Sequence, residues 1–121
     1  MPSKKTSGER RANLPRQSDF DKSFTEDWYR LNRAGRFDMH RLKEVMALIV
    51  ANDAPLGAEW PDHELKGEWH GYRECHAGGD FLLIYELKED GGVVFVRTGA
   101  HSDLFERVRW ASRSGVRGRR G

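Results

Sequence analysis

The stretch that decides the fold spans residues 69–98 and reads W-H-G-Y-R-E-C-H-A-G-G-D-F-L-L-I-Y-E-L-K-E-D-G-G-V-V-F-V-R-T. Three segments have the composition of β-strands, at 69–76, 81–87 and 93–98. Glycine-containing turns separate them, and the D-G-G triplet at 90–92 is a hairpin signal. Because short turns join antiparallel neighbours, we predict a three-stranded antiparallel meander.

Two amphipathic helices are predicted before the meander. The first begins near Ser18, which forms an N-cap pair with Asp21, and stops at Gly35. The second is capped by Asp38 and ends near Asn52. Both have an apolar stripe at helical spacing, formed by Phe20, Phe24, Trp28 and Leu31 in the first helix, and by Met39, Leu42, Val45, Met46 and Ile49 in the second.

A short edge strand is predicted at residues 14–17, where Pro15 has no N–H to donate. The element order is then β-α-α-β-β-β. This order predicts an α+β domain, in which a small, mainly antiparallel sheet carries two N-terminal helices on one face. The other face of the sheet is available as a working surface.

The length of 121 residues suits one domain. We expect a flexible tail at 1–13, a folded domain at 14–110 and a basic, flexible tail at 111–121, because both tails are polar and poor in apolar residues. The sequence shows no apolar run of transmembrane length and no secretory signal. One cysteine cannot form an internal disulfide, so we expect a cytoplasmic protein, and the lack of a long apolar run predicts no membrane partner.

The net charge of +2 is unevenly distributed. Residues 107–121 carry six arginines and no acid, and residues 1–16 carry five basic residues and one acid, which leaves 17–106 at −8. A basic tail can contact the phosphates of a nucleic acid. The alternative is a solvated tail with non-specific attraction to RNA at most.

Four of the five histidines lie between residues 62 and 105. In a meander, the end of the first strand, the start of the second and the end of the third share one edge, so we expect His76, Asp80 and His101 to lie close together. Histidine changes charge nearest neutral pH, and this cluster therefore indicates acid–base chemistry. For His101 alone, a surface histidine in a cap or hydrogen bond is the commoner explanation. Topology does not place His63.

Neighbouring polar residues have structural interpretations. We assign His70 a structural or exposed role, and Cys75 is predicted to be a small core residue, not a nucleophile. A zinc site could be drawn from His63, His70, Cys75 and His76, but Cys75 and His76 point to opposite faces of a strand. The sequence also has no C-x-x-C or H-x-x-x-H spacing. We therefore expect no metal and no cofactor.

The segment D-H-E-L-K-G-E-W-H-G-Y-R-E-C-H-x-x-x-D-F-L-L-I-Y at 62–85, followed by R-T-G-A-H-S-D-L-F at 97–105, resembles the YafQ-type toxins of the RelE/ParE superfamily. The close match covers residues 55–106. The resemblance implies a RelE-like fold and a bacterial type II toxin, a metal-independent endoribonuclease that cuts messenger RNA in the ribosomal A site. It also implies a cognate antitoxin that silences the toxin and can form a hetero-oligomer with it.

The same resemblance implies catalytic roles. His63, His76, Asp80, His101 and Phe105 match active-site positions of the family. Asp80 would be the base and His101 the acid. His63 and His76 would position or stabilise the phosphate, and the base role can fall instead to one of them.

RNA contacts are expected from Arg73, Phe81, Arg97 and Phe105. Arg73 and Arg97 are candidate phosphate clamps, and Arg97 suits a salt bridge equally well. Phe81 stands where the family usually has tryptophan, and Gly79 where it often has proline.

Two other functions stay open at this point. A ParE-like toxin inhibits gyrase without catalysis on the same fold, but it has no need of the titrating cluster. An inactive homologue could serve only as an antitoxin-binding or co-repressor partner. The charge of −8 over residues 17–106 favours this second alternative, because a ribosome-binding surface should be basic.

Overall fold

A computed structural model of the protein describes residues 14–106, so the predicted tails at 1–13 and 111–121 lie outside the described residues. The elements in chain order are β1 (Ser18–Phe20), α1 (Lys22–Ala34), α2 (Met39–Ala51), β2 (Asp62–Glu64), β3 (Arg73–Gly78), β4 (Phe81–Leu87) and β5 (Val93–Ala100). A 3₁₀ turn at Gly67–Trp69 precedes β3, and a π-helical turn at Ser102–Glu106 follows β5.

The strands form one sheet in the order β1-β5-β4-β3-β2. β1 runs parallel to β5, and the other neighbours are antiparallel. The predicted α+β fold and the central meander are therefore confirmed. Neither α1 nor α2 is long and apolar enough to cross a membrane, and the same holds for every helix within 14–106.

Both long helices end where their capping residues predict. Gly35 terminates α1 with a φ of 71°, and Asn52 terminates α2 with a φ of 55°, left-handed conformations suited to these residue types. Asp38 caps the start of α2 through its carboxylate. The prediction for the start of α1 is wrong, because Asp21 and not Ser18 is its N-cap.

The edge strands differ most from expectation. The first strand occupies Ser18–Phe20 and not 14–17, because its position is set by pairing with the start of β5. At the other edge, β2 was not predicted, since a three-residue polar segment has no apolar alternation. It pairs with β3, which begins at Arg73 and not at residue 69, after the 3₁₀ turn at Gly67–Trp69.

Two hydrophobic clusters lie on opposite faces of the sheet. The larger one fills the space between the helices and the sheet and contains Phe24, Leu31, Leu42, Val45, Ile49, Trp60, Cys75, Ala77, Phe81, Leu83, Tyr85, Val93 and Phe95. The smaller one, on the face away from the helices, contains Leu82, Ile84 and Leu104, with Leu65, Trp69, Tyr72, Val96 and Phe105 packed against it. The Ser102–Glu106 turn thus covers part of the open face.

Asp27 of α1 fastens that helix to β5. Its carboxylate is buried, with the residue only 5% exposed, and it accepts hydrogen bonds from Arg97 Nε at 2.7 Å and Arg97 Nη2 at 3.1 Å. It also accepts from Arg30 Nη2 at 2.9 Å and from the backbone N–H of Thr98 at 3.1 Å. These bonds hold the part of β5 that leads to His101.

Candidate active site

The end of β5 meets the β3–β4 turn at Asp80. The backbone N–H of His101 lies 3.3 Å from the carbonyl oxygen of Asp80 and 3.2 Å from its carboxylate Oδ1. Both residues are exposed. Gly79 before Asp80 has a φ of 52°, which a residue without Cβ adopts at little cost in this tight turn. The structure thus brings Asp80 and His101 together, as the meander topology predicts.

His76 on β3 braces the same turn. Its Nδ1 lies 3.2 Å from the carbonyl oxygen of Gly79, and its Nε2 lies 3.1 Å from Oε2 of Glu74. Both ring nitrogens thus lie within hydrogen-bonding distance of an oxygen atom, and which nitrogen donates depends on the tautomer. His76 is half-buried and therefore keeps an accessible edge.

Glu74 connects His76 to His63. The strand register pairs His63 of β2 with Glu74 of β3, and His63 Nε2 lies 3.5 Å from the same Oε2. The two imidazole rings are 6.4 Å apart between centroids. Glu74 is only 5% exposed, whereas the His63 side chain is 57% exposed. The buried Glu74 carboxylate thus contacts His63 and His76, which are both more exposed than Glu74 and lie on the face of the sheet away from the helices.

Sequence reasoning missed Glu74, although a signal was present. Residues 74 and 76 lie on the same face of β3 because side chains alternate along a strand. An acid two positions before a site histidine therefore shares its face. The link from Glu74 to His63 cannot be read from the sequence, because it depends on the register between β2 and β3.

Phe105 forms the wall beside His101. Its ring centroid lies 4.8 Å from that of His101 and 6.1 Å from that of Trp69. Phe105 is half-buried on the Ser102–Glu106 turn, over the smaller hydrophobic cluster. It is thus held by packing while it adjoins the histidine.

The two candidate phosphate clamps are bound to protein acceptors. Arg97 is in the ion pair with Asp27, which matches the salt-bridge interpretation. Arg73 donates from Nη2 to Asp62 Oδ2 at 2.9 Å, and Tyr85 Oη donates to Asp62 Oδ1 at 2.7 Å. The hydrogen bond to Asp62 raises the pKa of Arg73. The pKa of Tyr85 is also raised, mainly by burial and to a lesser extent by its hydrogen bond to Asp62. Arg73 shares the helix-covered face with these partners and does not join the histidines.

Phe81 also lies away from the histidines. It is 2% exposed and stacks on Phe37, with ring centroids 4.4 Å apart and an interplanar angle of 9°. A side chain buried under the helices offers no ring face to RNA, so the expectation that Phe81 contacts RNA is wrong for this structure. Aromatic residues in strands occur in cores and binding surfaces alike, so composition did not separate the two.

Cys75 and His70 fit their structural interpretations. Cys75 is buried in the larger cluster, and burial raises the pKa of its thiol, which disfavours the thiolate needed for attack. His70 is exposed at the end of the 3₁₀ turn. Within 14–106 no group of three or more His, Cys, Asp or Glu side chains is arranged to hold a metal ion.

Chemically, the assembled site offers an exposed carboxylate, an exposed imidazole and two further histidines held by a buried acid. Carboxylates and imidazoles are the side-chain types that general acid–base catalysis most often uses. A sheet of this order with two helices on one face and such an edge is the RelE-like toxin fold, which solved structures of similar sequence share.

Comparison with protein families narrows this class. Residues 16–106 match the family described as "Bacterial toxin of type II toxin-antitoxin system, YafQ". The chain belongs to this family.

Individual relatives agree with the family match. The mRNA interferase toxin YafQ of Escherichia coli K12 is 38% identical over 92 residues, covering 76% of this chain and 98% of that protein. The toxin in the crystal structure of the E. coli DinJ-YafQ toxin-antitoxin complex is 36% identical, with a TM-score of 0.69 over 76% of this chain and 99% of that one. A metal-bound toxin from Helicobacter pylori is 36% identical, with a TM-score of 0.63 over 74% of this chain and 98% of that one.

Proposed function

We propose that this protein is a cytoplasmic toxin that cuts messenger RNA in the ribosomal A site without a metal and is neutralised by a cognate antitoxin. The observation that carries the proposal is the contact between Asp80 and His101 at one sheet edge. The names of the relatives support the coarser part, since one is called an mRNA interferase and another was crystallised with its antitoxin.

In the proposed reaction the 2′-hydroxyl of the message attacks the adjacent phosphate. Asp80 takes the 2′ proton, and His101 protonates the leaving 5′ oxygen. His76 and His63 stabilise the pentavalent phosphate, and the base role can fall instead to one of them. The contacts of Nδ1 to Gly79 and of Nε2 to Glu74 hold the His76 ring beside the β3–β4 turn. The products are a 2′,3′-cyclic phosphate, or a 3′-phosphate, and a 5′-hydroxyl.

The proposed dependence on the ribosome rests on a lack, in the described part of the candidate site, of unpaired cationic side chains that could bind and activate RNA. Both Arg73 and Arg97, the two arginines expected to contact RNA, are paired with carboxylates. Free RNA would therefore be bound weakly in a reactive geometry. A ribosome that holds the message in place supplies the orientation, an effect that can reach several kcal/mol in well-aligned reactions.

The proposal is tested by single-turnover cleavage of a ribosome-bound message. His101→Ala should fold normally and keep antitoxin binding, since its side chain is exposed at a strand end, and should cut about 10²-fold more slowly or worse. Asp80→Asn should also be impaired, because an amide keeps the shape and loses the base. His70→Ala is the matched control and should cut at nearly the wild-type rate.

Several outcomes would contradict the assignment. Cleavage by His101→Ala at the wild-type rate, or a greater loss of cleavage rate in His70→Ala, would refute the assignment of His101 as the general acid. Efficient cutting of naked RNA would refute the ribosome requirement, and gyrase inhibition with messages intact would favour the ParE-like alternative. Loss of cleavage by toxin that was treated with EDTA and freed of the chelator before mixing with intact ribosomes, restored by adding a transition-metal ion, would refute metal independence.

A further inference from the structure

Glu74 is a buried acid in apolar surroundings. It is only 5% exposed, and the strand register places it opposite Ile84, so the two side chains share a face of the sheet. Ile84 and its neighbour Leu82 are fully buried members of the smaller cluster. An apolar residue at position 74 would extend this cluster without the free-energy cost of burying a carboxyl group. Packing alone therefore gives no reason for an acid at this position.

The polar contacts of the Glu74 side chain lead to the candidate site. Its Oε2 atom lies 3.1 Å from Nε2 of His76 and 3.5 Å from Nε2 of His63. Within residues 14–106, no lysine or arginine forms an ion pair with it. The His63 and His76 side chains are 57% and 32% exposed, so water can solvate both rings if the acid is removed. The histidines therefore do not need Glu74 to satisfy a buried polar group.

The contact with Glu74 restricts the direction of both rings. One carboxyl oxygen meets the same ring nitrogen, Nε2, of each histidine, and the ring centroids are 6.4 Å apart. An exposed histidine can turn about two side-chain torsions and occupy several rotamers. A shared partner that is itself buried in the sheet selects one arrangement of the pair.

We propose that Glu74 is a positioning residue of the candidate site, and that its carboxyl oxygen sets the orientation in which His63 and His76 meet the scissile phosphate of the RNA. This inference rests on the proposed function, because it assumes that the two histidines act on that phosphate. Glu74 acts through the histidines and does not itself touch the RNA. Such an effect can be large, since a misplacement of about 1 Å at a reacting centre can slow a reaction about 10²-fold.

The first test is single-turnover cleavage of a ribosome-bound message by Glu74→Leu and Glu74→Gln. Glu74→Leu should cut roughly 10-fold to 10²-fold more slowly, the range typical of residues that hold functional side chains in place. The ribosome concentration for half-maximal rate should stay unchanged, because the histidines would be misdirected and not removed. Glu74→Gln should lose less, since its amide oxygen can still accept a hydrogen bond.

The matched control is Glu86→Gln, at an acid on the neighbouring strand β4. Glu86 pairs with Lys88 at 3.7 Å and has no printed role among the histidines of the site. Its substitution should leave the cleavage rate near that of the wild type.

Stability separates positioning from a structural role. Glu74→Leu should unfold at the wild-type urea concentration or a higher one, because leucine packs on Ile84 and Leu82 and no carboxyl group is buried. An acid that only holds the fold together would lower the unfolding midpoint and the cleavage rate together.

Two further measurements examine the route through the histidines. Glu74→Leu combined with His76→Ala should slow cleavage by less than the product of the two separate effects, because the second change removes a partner of the first. In the NMR spectrum of the free protein, Glu74→Leu should shift the imidazole nitrogen signals of His63 and His76, whereas Glu86→Gln should leave both unchanged.

Cleavage by Glu74→Leu at the wild-type rate overturns the inference, as would fully multiplicative losses with His76→Ala or unchanged imidazole signals. A drop in cleavage that only follows a drop in stability also refutes it. The proposed function is judged separately, on the wild type. A wild type that does not cut refutes the proposed function and this inference together, whereas a wild type that cuts no faster than Glu74→Leu refutes this inference alone.

Discussion

Asp27→Ala is expected to destabilise the fold by about 3–5 kcal/mol, the usual cost of removing one partner from a buried ion pair. The carboxylate accepts from two nitrogens of Arg97, from Arg30 and from the buried backbone N–H of Thr98. Arg97 is 24% exposed on its side chain, so water can replace part of the lost contact, and the cost should lie near the lower end of the range.

Arg97→Ala should cost less, on the order of 1.5–3 kcal/mol, the value typical of hydrogen bonds to charged groups. In that variant Asp27 keeps Arg30 and the N–H of Thr98. The double variant should lose less stability than the sum of the two single variants, because both remove the same interaction. A structural ion pair therefore requires two results. Asp27→Ala must cost more stability than Arg97→Ala, and the double variant must cost less than the sum of the two.

Urea unfolding, monitored by tryptophan fluorescence, measures these differences in the free energy of unfolding. Ribosomal cleavage per folded molecule measures the effect on the cleavage rate. We expect Arg97→Ala to keep cleavage within a few-fold of the wild type, an order-of-magnitude expectation for a residue outside the site. If Arg97→Ala unfolds at the wild-type urea concentration but cuts about 10²-fold more slowly, Arg97 is a phosphate clamp and the structural assignment is refuted.

Two further predictions concern the larger cluster. Phe81→Ala should cost about 3–5 kcal/mol in urea unfolding, because it removes a buried ring stacked on Phe37, and wild-type stability with weakened RNA binding would contradict this. Burial raises the pKa of Cys75 above its ordinary value of 9.0, so its thiol should resist a disulfide reagent until the protein unfolds. Only the unfolded state loses the thiol proton near pH 9, so the free energy of unfolding should fall as the pH rises above about 9. Cys75→Ala should lessen that fall. Burial also raises the pKa of Tyr85, which adds to the fall above about pH 10.

Local signals in the sequence were sufficient for much of the fold. Gly35, Asp38 and Asn52 mark helix ends through conformations and side-chain bonds that depend on nearby residues only. The hairpin between β4 and β5 is likewise a local feature. By contrast, β1 is placed by pairing with the distant start of β5, and β2 by pairing with β3, so neither could be located from its own composition.

The candidate site divides in the same way. Asp80 and His101 were brought together by meander topology alone, which the sequence revealed. The link from His63 to His76 through Glu74 depends on the register of an unpredicted strand. Arg97 was ambiguous because a cation near a strand end can pair with a phosphate or with a carboxylate, and only the packing of α1 brings Asp27 to it.

The place of β5 in the sheet also bears on when the protein becomes able to act. β5 lies between β1 and β4, yet it is the last of these strands to be synthesised, and His101 follows it directly. Chains emerge from the ribosome N-terminus first. Until β5 has emerged, β1 has no partner strand and Asp80 has no His101 amide to bind. A ribosome making this protein therefore carries a nascent chain in which Asp80 and His101 have not yet come together, so the candidate site is assembled only after β5 has been synthesised.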